Sequence, residues 1–446
     1  MPRLAWFSPM PPVATGVAAC SADLVRALSH THQIDVFVDE KVAKVAPGTR
    51  SSHEFIWRHR QDPYDLTVYQ LGNSSHHDYQ WAYLFRYPGL AVLHDVHLHH
   101  ARAAALLRAR RAADYRVELA WNHPDANPDL AELAIAGFDS HMYYDWPMTR
   151  LVASSSRVVA VHSEALAERL REEVPSARVR TVALGHGTLL SDTGVRSASD
   201  RARSLYGIDP QAVVMGCFGG LSPDKRVPQV LAAFSAIRPY APTAHLLLAG
   251  AVPRHYDLWQ DIERHDLESS VTVTGYLESD AAFTDAIAAC DIALNLRWPT
   301  AREISGPWLR CLAAGKATVI TDLAHLSDVP TIDPRTWRPT TAEPPCAVAI
   351  DILDEDHSLR LALRRLSTDP TLRQTLGEAA RAYWQEHHSI ATMVDGYRHL
   401  IDDAIREPAV PGILPTLPAH LGDDGGRTLD RLLEPFGLPS PLPSGR

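Results

Sequence analysis

Short, continuous apolar runs alternate with longer amphipathic stretches along most of the chain. The runs at 4–7, 34–38, 66–71, 91–93, 158–161 and 179–184 lack an in–out alternation, as expected of strands covered on both faces. A second set follows at 213–218, 245–249, 271–274, 292–296, 317–320 and 347–350. Between them, apolar residues recur at three- and four-residue spacing, which predicts helices at 18–28, 164–173, 227–237, 281–289 and 308–314 among others. Strands alternating with helical crossovers predict parallel sheets covered on both faces. The fold class expected is therefore α/β, with two doubly wound domains of about six strands each.

The apolar rhythm yields to polar and turn residues in "SDTGVRSASDRARSLYGIDP", which places the seam there. The expected division is a first domain over 1–195 and a second over 205–385. A last helical block spans 370–406. The tail over 407–446 is rich in Pro and Gly, expected as an extended strap or partly disordered, with one short helix at 428–434.

Size and composition agree with that division. A chain of 446 residues exceeds one ordinary core. Its 46% hydrophobic and 22% charged residues describe a soluble globular protein. No apolar run approaches the ~20 residues of a membrane span. The start, "MPRLAWFSPMPP", enters a strand directly and lacks the apolar core of a signal peptide. Five scattered cysteines without metal-type spacing read as reduced structural thiols in a cytoplasm. A net charge of −10 argues against a nucleic-acid partner. One basic stretch, "ARAAALLRARRAADYR", carries Arg102, Arg108, Arg110, Arg111 and Arg116. It reads as a solvated helix face, the alternative being an acceptor-facing patch or a weak peripheral contact with an anionic membrane.

Ligands of open parallel sheets bind beyond the carboxyl ends of the strands, so the residues just after each strand matter most. Neither half carries G-x-G-x-x-G after its first strand or a Walker-type loop, which disfavours a nicotinamide enzyme or a P-loop ATPase. Instead, "FSPMPPVATG" offers Ser8 and Gly16, the latter opening a helix whose free N–H groups suit an anion or a sugar. "LGNSSHHD" and "LHDVHLHH" follow the third and fourth strands. In "FGGLSPDKRV", Gly219 and Gly220 allow close backbone approach, and Lys225, one of only four lysines, begins a helix. In "RWPTAREISGPW", Ser305 is an expected N-cap and Pro307 a first-turn residue, leaving the amides of Ile304, Ser305 and Gly306 exposed above the sheet. Two helix starts and a lysine on neighbouring loops make a cradle for a diphosphate. Each part alone also fits a structural role: a tight turn for the glycines, a solvated charge for Lys225, a capping carboxylate for Glu303, and loop-amide partners for His94 and Asp95.

These segments resemble a known family. "GCFGGLSPDKRVPQVLAAFSAI", "VTGYLESD" and "ACDIALNLRWPTAREISGPWLRCLAAGKATVITD" are similar to the second domain of retaining glycosyltransferases of family 4, the glycosyltransferase group 1 type. "LAWFSPMPPVATGVAACSADLVRAL", "YQLGNSSHHDYQWAYLFRYPGLAVLHDVHLHH" and "VVAVHSEALAERL" are similar to the first domain of one branch. The resemblance covers roughly residues 1–405 and implies a GT-B fold: two Rossmann-like domains across a cleft, an N-terminal acceptor domain and a C-terminal donor domain, with a helix over 386–406 crossing back to the first.

The activity implied is transfer of a hexose from a nucleotide sugar, a UDP- or GDP-hexose, to an acceptor hydroxyl with retention. It implies no metal and no cofactor beyond that co-substrate. The acceptor, whether sugar, lipid-linked or small molecule, stays open. Position by position, the resemblance places Lys225 on the phosphate lysine and Glu303 on the first glutamate of E-x7-E, near the donor sugar. It places residues 304–306 on the diphosphate amides and Gly16 in the first-domain glycine loop. His94, with Asp95, falls on the donor-sugar contact, and Asn73 and His77 on the "GN…HD" motif. Three departures stand out. Cys311 replaces the second glutamate, Gly220 replaces an arginine, and Arg302 stands in place of a glycine, so that Arg302 or Arg297 supplies the missing charge. A sugar-nucleotide epimerase or hydrolase, or a non-catalytic nucleotide-sugar-binding protein, are the alternatives on the same fold.

Overall fold

The computed structural model of the chain describes residues 1–138, 141–189, 191–300, 304–322, 329–408, 417–422 and 432–438. Arg302 and Glu303 lie outside the described residues. The chain divides into two compact units. Unit 1 comprises Met1–Val161, Ala167–Thr181 and Arg398–Arg446; unit 2 comprises His162–Leu166 and Val182–Tyr397. No described helix is long and apolar enough to cross a membrane.

Unit 1 is built on seven parallel strands: β1 (Arg3–Phe7), β2 (Gln33–Val38), β3 (Arg50–Ser51), β4 (Leu66–Leu71), β5 (Leu90–Leu93), β6 (Val158–Val161) and β7 (Val179–Thr181). Their order is β3-β2-β1-β4-β5-β6-β7. The chain therefore works outward from β1 to one edge, returns to the centre at β4, and continues to the other edge. Phe7 stacks between Phe37 and Tyr69 at 5.2 and 5.0 Å, and these rings give this layer its core. β3 escapes the sequence pattern because two polar residues flanked by Thr49 and Ser52 carry no apolar period.

Unit 2 has eight strands: β8 (Val214–Phe218), β9 (His245–Ala249), β10 (Val271–Val273), β11 (Ile292–Asn295), β12 (Ala317–Thr321), β13 (Thr331–Asp333), β14 (Arg338–Pro339) and β15 (Ala347–Ile350). The order β10-β9-β8-β11-β12-β15-β13-β14 again reverses at its centre, between β8 and β11. All pairs are parallel except β13 with β14. Those two short strands, with β14 at the sheet's edge, are also absent from the sequence pattern.

The seam expected from "SDTGVRSASDRARSLYGIDP" is instead a 15-residue helix, Asp192–Tyr206. Ser191 caps it by accepting from Gly194 N at 3.1 Å, and Gly207 ends it in the left-handed conformation at φ 63°. Its buried residues are alanines (Ala198, Ala202), so the apolar face is too slight to show in composition. Unit 2 also begins earlier than 195. Leu184 and His186 give their carbonyls to His388 Nδ1 (3.0 Å) and Trp384 Nε1 (2.8 Å), which ties this stretch to unit 2's own helices.

The last helical block is two helices, Pro370–His387 and Ile390–Arg406, the second running from unit 2 into unit 1. In the tail, Leu417 is buried and His420 bonds to the helix Ala112–Asn122 within unit 1. Most of the helix expected at 428–434 lies outside the described residues, and Glu434–Phe436 is a single 3-10 turn.

Candidate functional site

In unit 2, β8 and β11 pair side by side, Leu294 opposite Cys217. The loops that follow them therefore leave the sheet together at the reversal point, where a parallel sheet opens a crevice. The first loop starts at Gly219, whose φ of +96° suits glycine. Gly219 N–H donates to Ala249 O (3.0 Å) and Leu221 N–H to Ala251 O (2.8 Å). Gly250 permits that approach, since a Cβ there would lie 1.6 Å from Gly219 O.

The loop then makes a 3-10 turn, Pro223–Lys225, and passes through Arg226 at φ 58° before the helix Val227–Ile237. A non-glycine residue held left-handed costs about 1–3 kcal/mol and needs outside support. Glu355 supplies it, accepting from Arg226 Nε at 2.7 Å and from a second guanidinium nitrogen. Lys225 is thereby turned inward, its Nζ 3.9 Å from where a Cβ on Gly219 would sit.

The second loop converges on the same place. Trp298 N–H donates to Asp224 O at 2.8 Å, and Arg297 N–H to Thr321 Oγ1 at 3.2 Å. Ser305 caps the helix Gly306–Ala313 by accepting from Trp308 N (3.4 Å), with Pro307 in the first turn. Pro307 Cγ lies 3.8 Å from the would-be Cβ of Gly219, so the helix start and the glycine turn touch. One hollow is lined by Phe218, Gly220, Lys225, Asn295, Arg297 and Ser305.

Its charge is one-sided. Burial pushes the Lys225 ammonium down to about 7, with Arg297 adding repulsion and Asp224 opposing it. Among the described residues Lys225 makes no ion pair. Among the described residues, this partly buried cation, a second cation and the start of the helix Gly306–Ala313 line one hollow.

In unit 1 the polar groups collect after β4 and β5. His94 N–H donates to Leu71 O (2.8 Å), and its Nε2 lies 2.7 Å from Gln70 Oε1. His77, buried and held near a pKa of about 4 mainly by that burial, donates Nδ1–H to Gln70 O at 2.9 Å. Asn73 caps the helix His99–Arg108, accepting from Ala101 N at 2.8 Å, and its own N–H goes to Asp95 Oδ2 at 2.8 Å. Asn73 thus spends its side-chain oxygen on a first-turn helix amide, and Asp95 spends one of its own on a loop amide. Gly16 begins the helix Gly16–Leu28 with open space beyond it, Thr15 capping Ala18 N at 3.1 Å. Ser8 is committed to Ser21 Oγ at 2.6 Å.

Sequence reasoning missed several supporting residues. Gly250 and Glu355 shape the Lys225 loop from distant positions. His186 packs its ring 3.3 Å from a would-be Cβ on Gly306 and is kept neutral, near 4, by burial and by Arg310. Gln70 joins His94 to His77. Only Gly250, which follows β9 directly, gave a local signal.

Cys311 is fully buried, its thiol bonded to the Asn295 side chain and pushed up to about 12 by burial. It is a core residue, not an anionic substitute for a glutamate. The arginine stretch resolves into acid partners: Arg102 with buried Glu118, Arg111 with Asp114, and Arg116 with Glu132. It also breaks into two helices, His99–Arg108 and Ala112–Asn122.

Residues 212–336 match the family model for glycosyl transferases group 1. No curated protein matches the chain. Among solved structures, sucrose-phosphate synthase (tll1590) from Thermosynechococcus elongatus is 14% identical, with 90% of this chain and 99% of that one aligned and a TM-score of 0.61. Anabaena Alr3699/HepE, solved with UDP and glucose, is 14% identical over 90% and 100% of the two chains, TM-score 0.61. WaaG, a glycosyltransferase involved in lipopolysaccharide biosynthesis, is 13% identical over 90% and 99%, TM-score 0.56. Two parallel-sheet α/β units matching these proteins give this chain the GT-B fold.

Proposed function

We propose that the protein is a retaining, metal-independent glycosyltransferase that moves a hexose from a nucleoside diphosphate sugar to an acceptor hydroxyl. The observation that carries this reading is the convergence of two loops on Lys225 at the reversal point of unit 2's sheet. The diphosphate is held by the Lys225 ammonium, Arg297 and the amides of residues 304–306, with Arg302 as a further cation. As the glycosidic bond breaks, negative charge grows on the departing phosphate oxygen. Donors already aimed at that charge contribute about 3–4 kcal/mol each to the transition state.

Retention follows if the acceptor attacks from the face the diphosphate leaves, its hydroxyl proton passing to a donor phosphate oxygen. Glu303 and His94 are each assigned to donor-sugar hydroxyls. UDP is the first nucleotide to test, because the similar HepE was solved with it. The acceptor is a sugar, a lipid-linked sugar or a small molecule. The site of action is the cytoplasm, where five buried thiols stay reduced.

A thermal-shift panel of UDP-, GDP-, ADP- and dTDP-sugars tests the donor class. A ligand at a hundredfold its dissociation constant adds about 2.7 kcal/mol. Product analysis with and without acceptor then separates transfer from hydrolysis or epimerisation. Sugar released or isomerised at full rate without acceptor contradicts the reading, as does full transfer by a folded Lys225→Ala protein.

A further inference from the structure

The backbone of the segment Gly185–Gly187 is fixed around its one side chain. His186 N–H donates to His388 O (3.3 Å), and the His186 carbonyl accepts from Trp384 Nε1 (2.8 Å). A Cβ on Gly185 would lie 2.6 Å from Ser389 O. One on Gly187 would lie 3.2 Å from Arg310 Cα, so the segment packs directly on the helix Gly306–Ala313. What leaves this fixed backbone is an imidazole whose Cδ2 and Nε2 lie 3.3 and 3.7 Å from where a Cβ on Gly306 would sit. Gly306 follows Ser305, which lines the Lys225 hollow, and all of these residues belong to unit 2.

Burial pushes six histidines among the described residues down to about 4, so each is neutral at pH 7. Five of them use a ring nitrogen within the protein. His77, His99, His162 and His388 bond to backbone carbonyls, and His123 accepts from Met148 N–H. The His186 ring makes no hydrogen bond among the described residues. The charges nearest it are closed on other groups, Arg310 donating to Asp280 Oδ1 at 2.6 Å and to Thr284 Oγ1 at 2.7 Å. Its side chain is only partly buried, so a ligand can reach it. A polar ring largely withdrawn from water is costly without a partner, and here the backbone holds one beside the helix start that borders the hollow.

We propose that His186 is a donor-binding residue that holds a sugar hydroxyl of the nucleotide sugar, on its ribose or on its hexose. A neutral imidazole offers one N–H donor and one lone pair, which complement a hydroxyl that accepts and donates. The diphosphate is met instead by the cations and amides of the Lys225 cradle. The assignment rests on the nucleotide-sugar reading and extends it to a residue outside the two loops.

The test compares the full-length wild type with His186→Phe, which keeps a ring over Gly306 without its nitrogens, and with His186→Gln, which keeps a donor and an acceptor. Calorimetry measures binding of UDP, 2′-deoxy-UDP, 3′-deoxy-UDP and UDP-glucose. For a ribose hydroxyl, His186→Phe should bind UDP about three- to tenfold more weakly, the share of one neutral hydrogen bond. It should then bind one of the deoxy nucleotides as the wild type does. For a hexose hydroxyl, UDP should bind equally and UDP-glucose should lose that factor. His186→Gln should bind closer to the wild type than His186→Phe does.

Equal losses in both variants for every ligand, deoxy nucleotides included, describe packing alone and overturn the proposal. If neither variant folds, the wild type decides: unchanged affinity across the deoxy nucleotides and across UDP-deoxyglucoses overturns it. UDP and UDP-glucose binding that depends on Lys225 and not on His186 overturns this assignment and leaves the transferase reading intact. A protein that binds no nucleoside diphosphate overturns that reading, and this assignment with it.

Discussion

Replacing Lys225 by methionine separates a binding cation from a structural one, because the two roles move stability in opposite directions. With the Lys225 pKa near 7 in the free protein, about nine in ten side chains are neutral at pH 8. A diphosphate against Nζ restores the charge, so binding at pH 8 should take up about 0.9 proton, falling to about 0.1 at pH 6. Affinity should then weaken by about tenfold per pH unit above 7. Calorimetry of UDP binding in two buffers of different ionisation enthalpy reads that uptake, and the Lys225→Met protein subtracts the ligand's own protonation. Losing one charge-assisted contact should cost about 1.5–3 kcal/mol, or about 10- to 150-fold in affinity.

Unliganded stability should shift the other way. An unfolded lysine titrates near 10.5, so between about 7 and 10.5 the unfolded chain binds a proton that the folded protein does not. Wild-type stability therefore rises with pH through that window, and the full desolvation cost is present below 7. Lys225→Met removes the cost and should raise the melting temperature at pH 7 by a few degrees, the scale of a 0.5–2 kcal/mol gain. A variant that melts lower and still binds UDP normally, or a wild-type protein with no buffer-dependent heat, refutes the reasoning.

Four further outcomes follow from the same contacts. Glu355→Ala leaves the left-handed Arg226 turn unsupported and should cost about 1–3 kcal/mol in denaturant unfolding while weakening UDP binding; unchanged affinity would show that the turn does not position Lys225. Gly250→Ala forces its Cβ into Gly219 O and should lower both UDP affinity and stability, by about 1–3 kcal/mol for the latter, measured by thermal shift. Burial favours a neutral Glu118, yet Arg102 and His420 hold its carboxyl below the usual 4.5. The stability this gives is present above that pH and lost as pH falls through the folded value, so Glu118→Gln should cost about 3–5 kcal/mol at pH 7 and flatten the acid limb of a pH–stability curve. Transfer activity after exhaustive EDTA treatment should equal that of the untreated protein, and recovery of lost activity only on adding a divalent cation would contradict the metal-free mechanism.

What could be read from the sequence depended on whether the information was local. β4, β6, β9 and β15 are mostly apolar runs, and their residue patterns mark them to the residue. Ser305 and Pro307 announced a helix start because capping is decided within three residues. The Asp192–Tyr206 helix stayed hidden, since alanines bury it and a serine and a glycine that look like a turn are its caps. β13 and β14 depend on partners across the sheet rather than on their own composition.

The cradle followed the same rule. Gly219, Lys225, Arg297 and Ser305 sit just beyond strand ends, where position alone marks them. Glu355 lies 129 residues from the arginine it supports, and nothing near it in the chain indicates that role. Gln70 reads as one polar residue in an apolar strand, and only the register of β4 with β5 brings it to His94.

A structure with UDP bound would locate the pyrophosphate directly. The expected result is a phosphate oxygen about 2.7–2.9 Å from Lys225 Nζ, with the amides of residues 304–306 turned toward it. A nucleotide seated elsewhere on the chain, or one whose phosphates leave Lys225 without contact, would contradict the cation-lined cradle on which the proposed transfer depends.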